Sequence, residues 1–243
     1  MPRPGGASSA YLVSSEVATI LLDAGTGAFA KLQTAVDCTR LNAIVISHMH
    51  SDHFFDLVPF RYTLKYGHRI SDRRLPLWLP PGGRGRLDAL RRAVSVDAAE
   101  DFFDVVFEVR EFDADEPLTV GNAVLRFRRT RHYVEAYAVR VECDGASIAY
   151  SADTAPCDAV VELARGASIF LCEAAFGLER EEAAQRGHSN AEEAGEMAQQ
   201  AGVSRLVLTH YPAAFERQAL VDAAKSRFSG EVVAAEDGLT LAV

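Results

Sequence analysis

The order of apolar segments predicts an α/β fold of two mixed sheets packed face to face, with helices outside. Three observations carry this. Residues 10–95 alternate short β-branched runs with helix-like stretches, residues 104–153 are strand-like almost throughout, and residues 156–243 alternate strictly between helix and strand. Two β-rich blocks with interspersed helices fit two packed sheets better than one doubly wound parallel sheet. There is no internal repeat, low-complexity tract or linker, so residues 1–243 are expected to form a single domain.

The elements follow in order. "AYLVSS" and "ATILLDAG" read as strands closing at Gly25 and Gly27, and "NAIVISH" as a short buried strand. "FFDLVPFRYTLKYG" reads as a helix that Pro59 divides or restarts. "LPLWLPPGGRG" is a strand and turn, and "GRLDALRRAVS" a helix. "DVVFEVREF", "AVLRFRRTRH", "AYAVRVECDG" and "SIAYSAD" are successive strands with short turns. "PCDAVVELARG", "SNAEEAGEMAQQAG" and "AFERQALVDAAKSRF" are helices that alternate with the strands "ASIFLCEA" and "SRLVLTH". "GEVVAAEDGLTLAV" supplies the last two strands, and Ser189 with Glu192 is expected to form a capping box.

The bulk numbers narrow the function. A net charge of −9 argues against a broad nucleic-acid surface, although a small phosphate ester at a locally positive site stays possible. No apolar run approaches the ~20 residues of a membrane span, and the start lacks the order of a secretory signal. Cys38, Cys143, Cys157 and Cys172 are widely spaced, so reduced thiols and a cytoplasmic location are expected.

The stretch "VISHMHSDHFFDL" carries the chemistry. With seven histidines and at most 34 aspartates in 243 residues, H-x-H-x-D-H arises by chance roughly 3 × 10⁻⁶ times per window. Composition therefore does not explain it. If the chain stays extended through residue 50, His48 and His50 point the same way, while Asp52 and His53 follow a turn and address a neighbouring point. His132, Asp153 and His210 also stand at the carboxyl ends of predicted strands, where loops converge on rigid supports. These positions give one divalent metal to His48, His50 and His132 and a second to Asp52, His53 and His210, with Asp153 bridging. Nitrogen ligands with a shared carboxylate suit zinc, and the mixed shell also admits manganese or iron.

Other readings stand beside these. Asp153 could cap a helix beginning near Pro156, and His188 could be a plain loop residue. Glu173, however, is an acid at a buried strand end, and a Glu173–His188 hydrogen bond would satisfy it. That bond would also raise the proton affinity of His188, a candidate donor to a leaving oxygen. Arg126, Arg128, Arg129 and Arg131 form a solvated strand face or a phosphate grip, and Tyr133 and Tyr211 stack on a base or line the pocket. His68 has no such context.

The order of "SHMHSDH", His132, "YSADT", "LCEA", "GHSNAEEAG" and "LTHY" resembles the metallo-β-lactamase superfamily over nearly the whole chain. Within it the chain resembles the ribonuclease Z-like branch, and "CDAVVELARGASIFLCEAAF" and "RLVLTHYP" are similar to its actinobacterial cyclic-nucleotide phosphodiesterases. The resemblance implies a four-layer αββα sandwich, a dinuclear site from the residues above, and hydrolysis of a phosphodiester. In that reaction Asp52 orients the attacking water and accepts its proton, and His188 counters charge on the leaving oxygen.

Two departures matter. Only twenty residues separate His132 from Asp153, too few for the tRNA-gripping arm that ribonuclease Z enzymes usually carry. The chain also begins almost at "GGASS", so the first strand of the family is expected to be absent. A small phosphodiester such as a 3′,5′-cyclic nucleotide is thus the expected substrate, with long nucleic acid and membranes disfavoured; the branch often forms homodimers. The alternatives are RNA 3′ processing, hydrolysis of a lactone, thioester or sulfate ester, and a non-catalytic metal-binding module.

Overall fold

The computed structural model describes residues 4–67, 73–95, 99–180 and 185–243. His68 lies outside these residues. The described chain forms two compact units: Ala7–Asp113, and Ala114–Val243 with residues 4–6.

The first unit is built on a five-stranded sheet of order β1-β2-β3-β4-β5, with β1 Tyr11–Ser14, β2 Thr19–Leu22, β3 Ala43–Val45, β4 Leu75–Leu79 and β5 Phe107–Glu111. β1 is antiparallel to β2, and the rest run parallel. Such crossovers need intervening helices, which are α1 Ala28–Ala35, α2 Ser51–Phe54, α3 Leu57–Tyr66 and α4 Gly83–Val94. β4 buries Leu75, Leu77 and Leu79 on alternate positions, against a core that includes Ile44, Phe60 and Phe107.

The expected helix around Pro59 is divided, but the break lies at Phe55–Asp56, ahead of the proline. Pro59 occupies the first turn of α3, where no intrahelical donor is needed. α1 was not foreseen. Its N-cap, Gly27, has no side chain, and the carboxylate of Asp56 accepts from Phe29 N at 2.8 Å in its place.

The second unit carries a seven-stranded sheet of order β12-β11-β10-β9-β8-β7-β6. β6 Leu118–Val120, β7 Ala123–Arg129, β8 Tyr137–Cys143 and β9 Ala146–Tyr150 form an antiparallel meander. β10 Ile169–Glu173, β11 Arg205–Thr209 and β12 Glu231–Ala234 add in parallel. Their crossovers are α5 Asp158–Ala164, α6 Ala191–Ala201 and α7 Arg217–Lys225, which pack on this sheet around Phe170, Met197 and Leu206.

Two expectations are corrected here. The capping box sits one residue later than expected: Glu193 N donates to Asn190 Oδ1 at 2.9 Å and Asn190 N to Glu193 Oε2 at 3.0 Å. Ser189 is still outside the helix because its hydroxyl donates to Thr154 O at 2.6 Å, and Glu192 pairs with Arg180 at 3.0 Å instead. The expected final strand at "LTLAV" does not form. β12 already ends the sheet, and Leu239 and Val243 are exposed, so no buried face selects a strand there.

Candidate metal centre

In the first unit the histidine loop leaves the carboxyl end of β3. Ile46 N still donates to Trp78 O, which fixes the chain up to Ser47. His50 is extended (φ −79°, ψ 146°) as the N-cap of α2, and Asp52 and His53 fall on that helix, which begins earlier than the helix expected from Phe54.

The loop is oriented by Asp23, a fully buried acid just past β2 with φ 62°. Its Oδ1 accepts from Ser47 N at 2.7 Å, and its Oδ2 from Ser47 Oγ at 2.8 Å and His53 Nδ1 at 2.7 Å. Because the Ser47 hydroxyl proton goes to Asp23, the contact of Ser47 Oγ with His48 Nδ1 at 3.0 Å places a proton on that ring nitrogen. Both His48 and His53 therefore carry their proton on Nδ1 and present Nε2 as a lone pair, the tautomer a metal needs. His48 Nε2 stands 3.2 Å from His50 Nδ1, and His53 Nε2 lies 3.9 Å from Asp52 Oδ2.

Close packing holds this arrangement. A Cβ on Gly25 would lie 2.0 Å from Asp52 O, so only hydrogen fits where the β2 loop meets α2.

In the second unit β8 runs opposite to β7 and β9, so β7, β9, β10 and β11 all end on one edge of the sheet. That edge carries His132, Asp153, Glu173 and His210. Asp153 is buried, and its two oxygens face different histidines: Oδ2 is 3.8 Å from His132 Nε2, and Oδ1 is 3.8 Å from His210 Nδ1. These separations exceed a hydrogen bond. Asp153, His188 and His210 offer ligand atoms all within 4.8 Å of one another. Asp153 does not cap α5, whose N-cap is Cys157.

His132 donates from Nδ1 to Gly187 O at 2.7 Å, which leaves its Nε2 for a metal. His188 Nδ1 lies 2.8 Å from Glu173 Oε1 and 4.0 Å from Asp153 Oδ2. Glu173 is fully buried and also accepts from Thr154 N and Ala175 N, each at 2.8 Å. Burial pushes its carboxyl pKa up, while the bond from His188 acts in the opposite direction.

The segments after β7 and β9 are tied together by Thr130 Oγ1, which donates to Asp153 O at 2.8 Å, and by Arg131 N, which donates to Thr154 Oγ1 at 3.2 Å. Ala152 (φ 50°) and His210 (φ 53°) are left-handed non-glycine residues, a costly conformation kept where side chains must be aimed. Tyr211 is buried with its hydroxyl on Ala235 O, whereas Tyr133 is exposed. Arg126, Arg128, Arg129 and Arg131 are all exposed, and Arg126 pairs with Glu142 at 3.5 Å.

Sequence reasoning missed Asp23, Ser47, Thr154 and Gly187. An acid directly after the apolar run "TILL" was a signal for Asp23. The other three act through backbone or hydroxyl groups that composition does not mark.

Imidazoles and carboxylates near strand ends, with second hydrogen bonds fixing the tautomers of His48, His53 and His132, make donor groups that could hold divalent metal ions. A family model described as Beta-lactamase superfamily domain matches residues 18–211, and the chain belongs to that superfamily as a metallo-hydrolase.

The chain is 33% identical over 233 residues to the uncharacterized protein Rv1339 of Mycobacterium tuberculosis, covering 94% of this chain and 83% of the relative. It is 28% identical to the probable metallo-hydrolase YhfI of Bacillus subtilis, covering 98% of this chain and 93% of that protein. The crystal structure of YhfI, a metallo-beta-lactamase fold protein, matches with a TM-score of 0.85 over 98% of this chain and 92% of that one. A ribonuclease Z of Haloferax volcanii is 28% identical over 297 residues, with 100% of this chain and 92% of that protein covered. The fold is the metallo-β-lactamase fold that the sequence predicted. No helix among the described residues is long and apolar enough to cross a membrane.

Proposed function

We propose that the two half-sets form one dinuclear centre and that the protein is a phosphodiesterase for small substrates, 3′,5′-cyclic nucleotides above all. His48, His50 and His132 would hold one metal and Asp52, His53 and His210 the other, with Asp153 shared between them. Zinc suits these donors. In this reading the two compact units act as one domain. Four cysteines with no disulfide between them fit a reducing, cytoplasmic setting.

When bound, the metals supply an acidified water and local positive charge. Asp52 orients the attacking water and takes its proton. His188 delivers a proton from Nε2 to the departing ribose oxygen, and Glu173 holds the ring and offsets the imidazolium charge.

The observation that carries the reading is the Glu173–His188 bond of 2.8 Å beside Asp153. An alkoxide leaves phosphorus poorly without such an acid, whereas the thiolate of a thioester leaves without one. The short β8–β9 hairpin between His132 and Asp153, turning at Asp144–Gly145, leaves no arm for tRNA.

The test is metal-reconstituted protein assayed on bis(p-nitrophenyl) phosphate, cyclic AMP, precursor tRNA and a lactone. The first two are expected to be hydrolysed, with chelation abolishing both activities. Cleavage of the tRNA or the lactone alone, or failure to bind metal, overturns the proposal.

A further inference from the structure

We infer that Tyr133 is a stacking platform for the nucleobase of the substrate, which narrows the diesterase to base-bearing phosphodiesters. The inference rests on the reading above for one point only, that the substrate phosphate lies beside His132 and His188.

Tyr133 directly follows His132 and remains 57% exposed, whereas Tyr211, beside His210, is 8% exposed and tied through its hydroxyl to Ala235 O. Of the two tyrosines adjoining candidate ligands, only Tyr133 therefore has a ring that a ligand can cover. Its centroid lies 5.2 Å from that of His132 and 5.7 Å from that of His188, at interplanar angles of 51° and 68°. Neither imidazole is stacked parallel on the phenol, and more than half of the Tyr133 surface stays open to solvent.

The ring is also held in place. A Cβ on Gly187 would come within 2.7 Å of Tyr133 Cε2, so the phenol lies directly on this glycine. Gly187 O is the acceptor that fixes His132. One backbone residue thus sets both the ligand and the ring, and the platform needs no ordering when substrate arrives.

In a nucleotide the base stands one sugar away from the phosphate. A phosphate seated at His132 and His188 would put the base within reach of Tyr133, the exposed ring that adjoins both. Stacking on an aromatic ring is tolerant of base identity because every base has a π-face. The platform therefore selects for a base rather than for one particular base.

The experiment is calorimetric titration of the metal-loaded protein with AMP, the product of opening cyclic AMP at its 3′ bond, and with ribose 5-phosphate, which lacks the base. The wild type is expected to prefer AMP by about tenfold or more, the range of one base–aromatic stack. Tyr133→Phe should keep that preference. Tyr133→Leu should lose it, binding both ligands about equally, with the ribose 5-phosphate affinity and metal content unchanged. In turnover, the same variant should raise the KM for cyclic AMP about tenfold and leave kcat nearly as it was.

Equal binding of the two ligands by the wild type, binding of neither, or a base preference that survives Tyr133→Leu overturns the inference. The two readings fail separately. A diesterase that hydrolyses cyclic AMP but is indifferent to the base removes the platform alone. A base preference that depends on Tyr133 in a protein without diesterase activity removes the proposed reaction alone.

Discussion

Asp23 orients the histidine loop without belonging to it. Its carboxylate accepts from Ser47 N, Ser47 Oγ and His53 Nδ1, and through Ser47 it reaches His48. Asp23→Ala leaves those buried donors without their acceptor, at about 1–3 kcal/mol per group. Loss of such an outer hydrogen bond also weakens metal affinity about 10–100-fold. Asp23→Asn should weaken metal binding too, because its amide NH2 opposes Ser47 N–H in one orientation and both Ser47 Oγ–H and His53 Nδ1–H in the other. Metal titration with thermal melting checks both variants, and wild-type affinity in either one contradicts the role. His188→Ala, by contrast, should keep both metals and lose about 10²–10³ in turnover, with unchanged turnover at full occupancy removing it from the mechanism. The sequence announced the candidate ligands because histidine is scarce and the motif dense. It did not announce Asp23, whose partners lie 24 and 30 residues away.

Elements whose stabilising contacts are local were read well from sequence. β3, β4, β10 and β11 are short apolar runs bounded by turn residues, and α6 carries its own cap. α1 escaped because Asp56, which caps it, is 27 residues from Phe29. The shift of the capping box from Ser189 to Asn190 has the same origin, since a distant carbonyl, Thr154 O, claims the serine hydroxyl. Packing between elements is equally invisible in one dimension, and two glycines expose the difference. Gly25→Ala drives a methyl into Asp52 O and should destabilise by about 1–3 kcal/mol, as overpacking does. Gly85→Ala, inside α4 with nothing within 4 Å of the new methyl, should stabilise by about 1 kcal/mol through helix propensity. Denaturant unfolding of the two variants gives the comparison, and equal midpoints would refute the account of Gly25.

The candidate site was legible in sequence because His48, His50, His132, Asp153 and His210 closely follow strands, and strand ends on one sheet edge are neighbours whatever the length of chain between them. For β7, β9, β10 and β11 that neighbourhood lies within the second unit, and for the loop after β3 it lies within the first. The proposed centre makes a stronger demand, because its ligands come from both units. A metal that binds only the folded state stabilises it by about 2.7 kcal/mol at a free concentration of a hundred times its Kd. For a chain of this size that raises Tm by about 5–10 °C. Trp78, the single tryptophan, lies on β4 and reports unfolding of the first unit, while Asp153 belongs to the second. Zinc should therefore raise the melting temperature followed by Trp78 fluorescence, and chelation should reverse the rise. Asp153→Ala should abolish it, although the substitution lies in the other unit. If Trp78 reports the same rise in Asp153→Ala as in the wild type, the first unit binds its metal without Asp153 and the bridged two-unit centre is wrong.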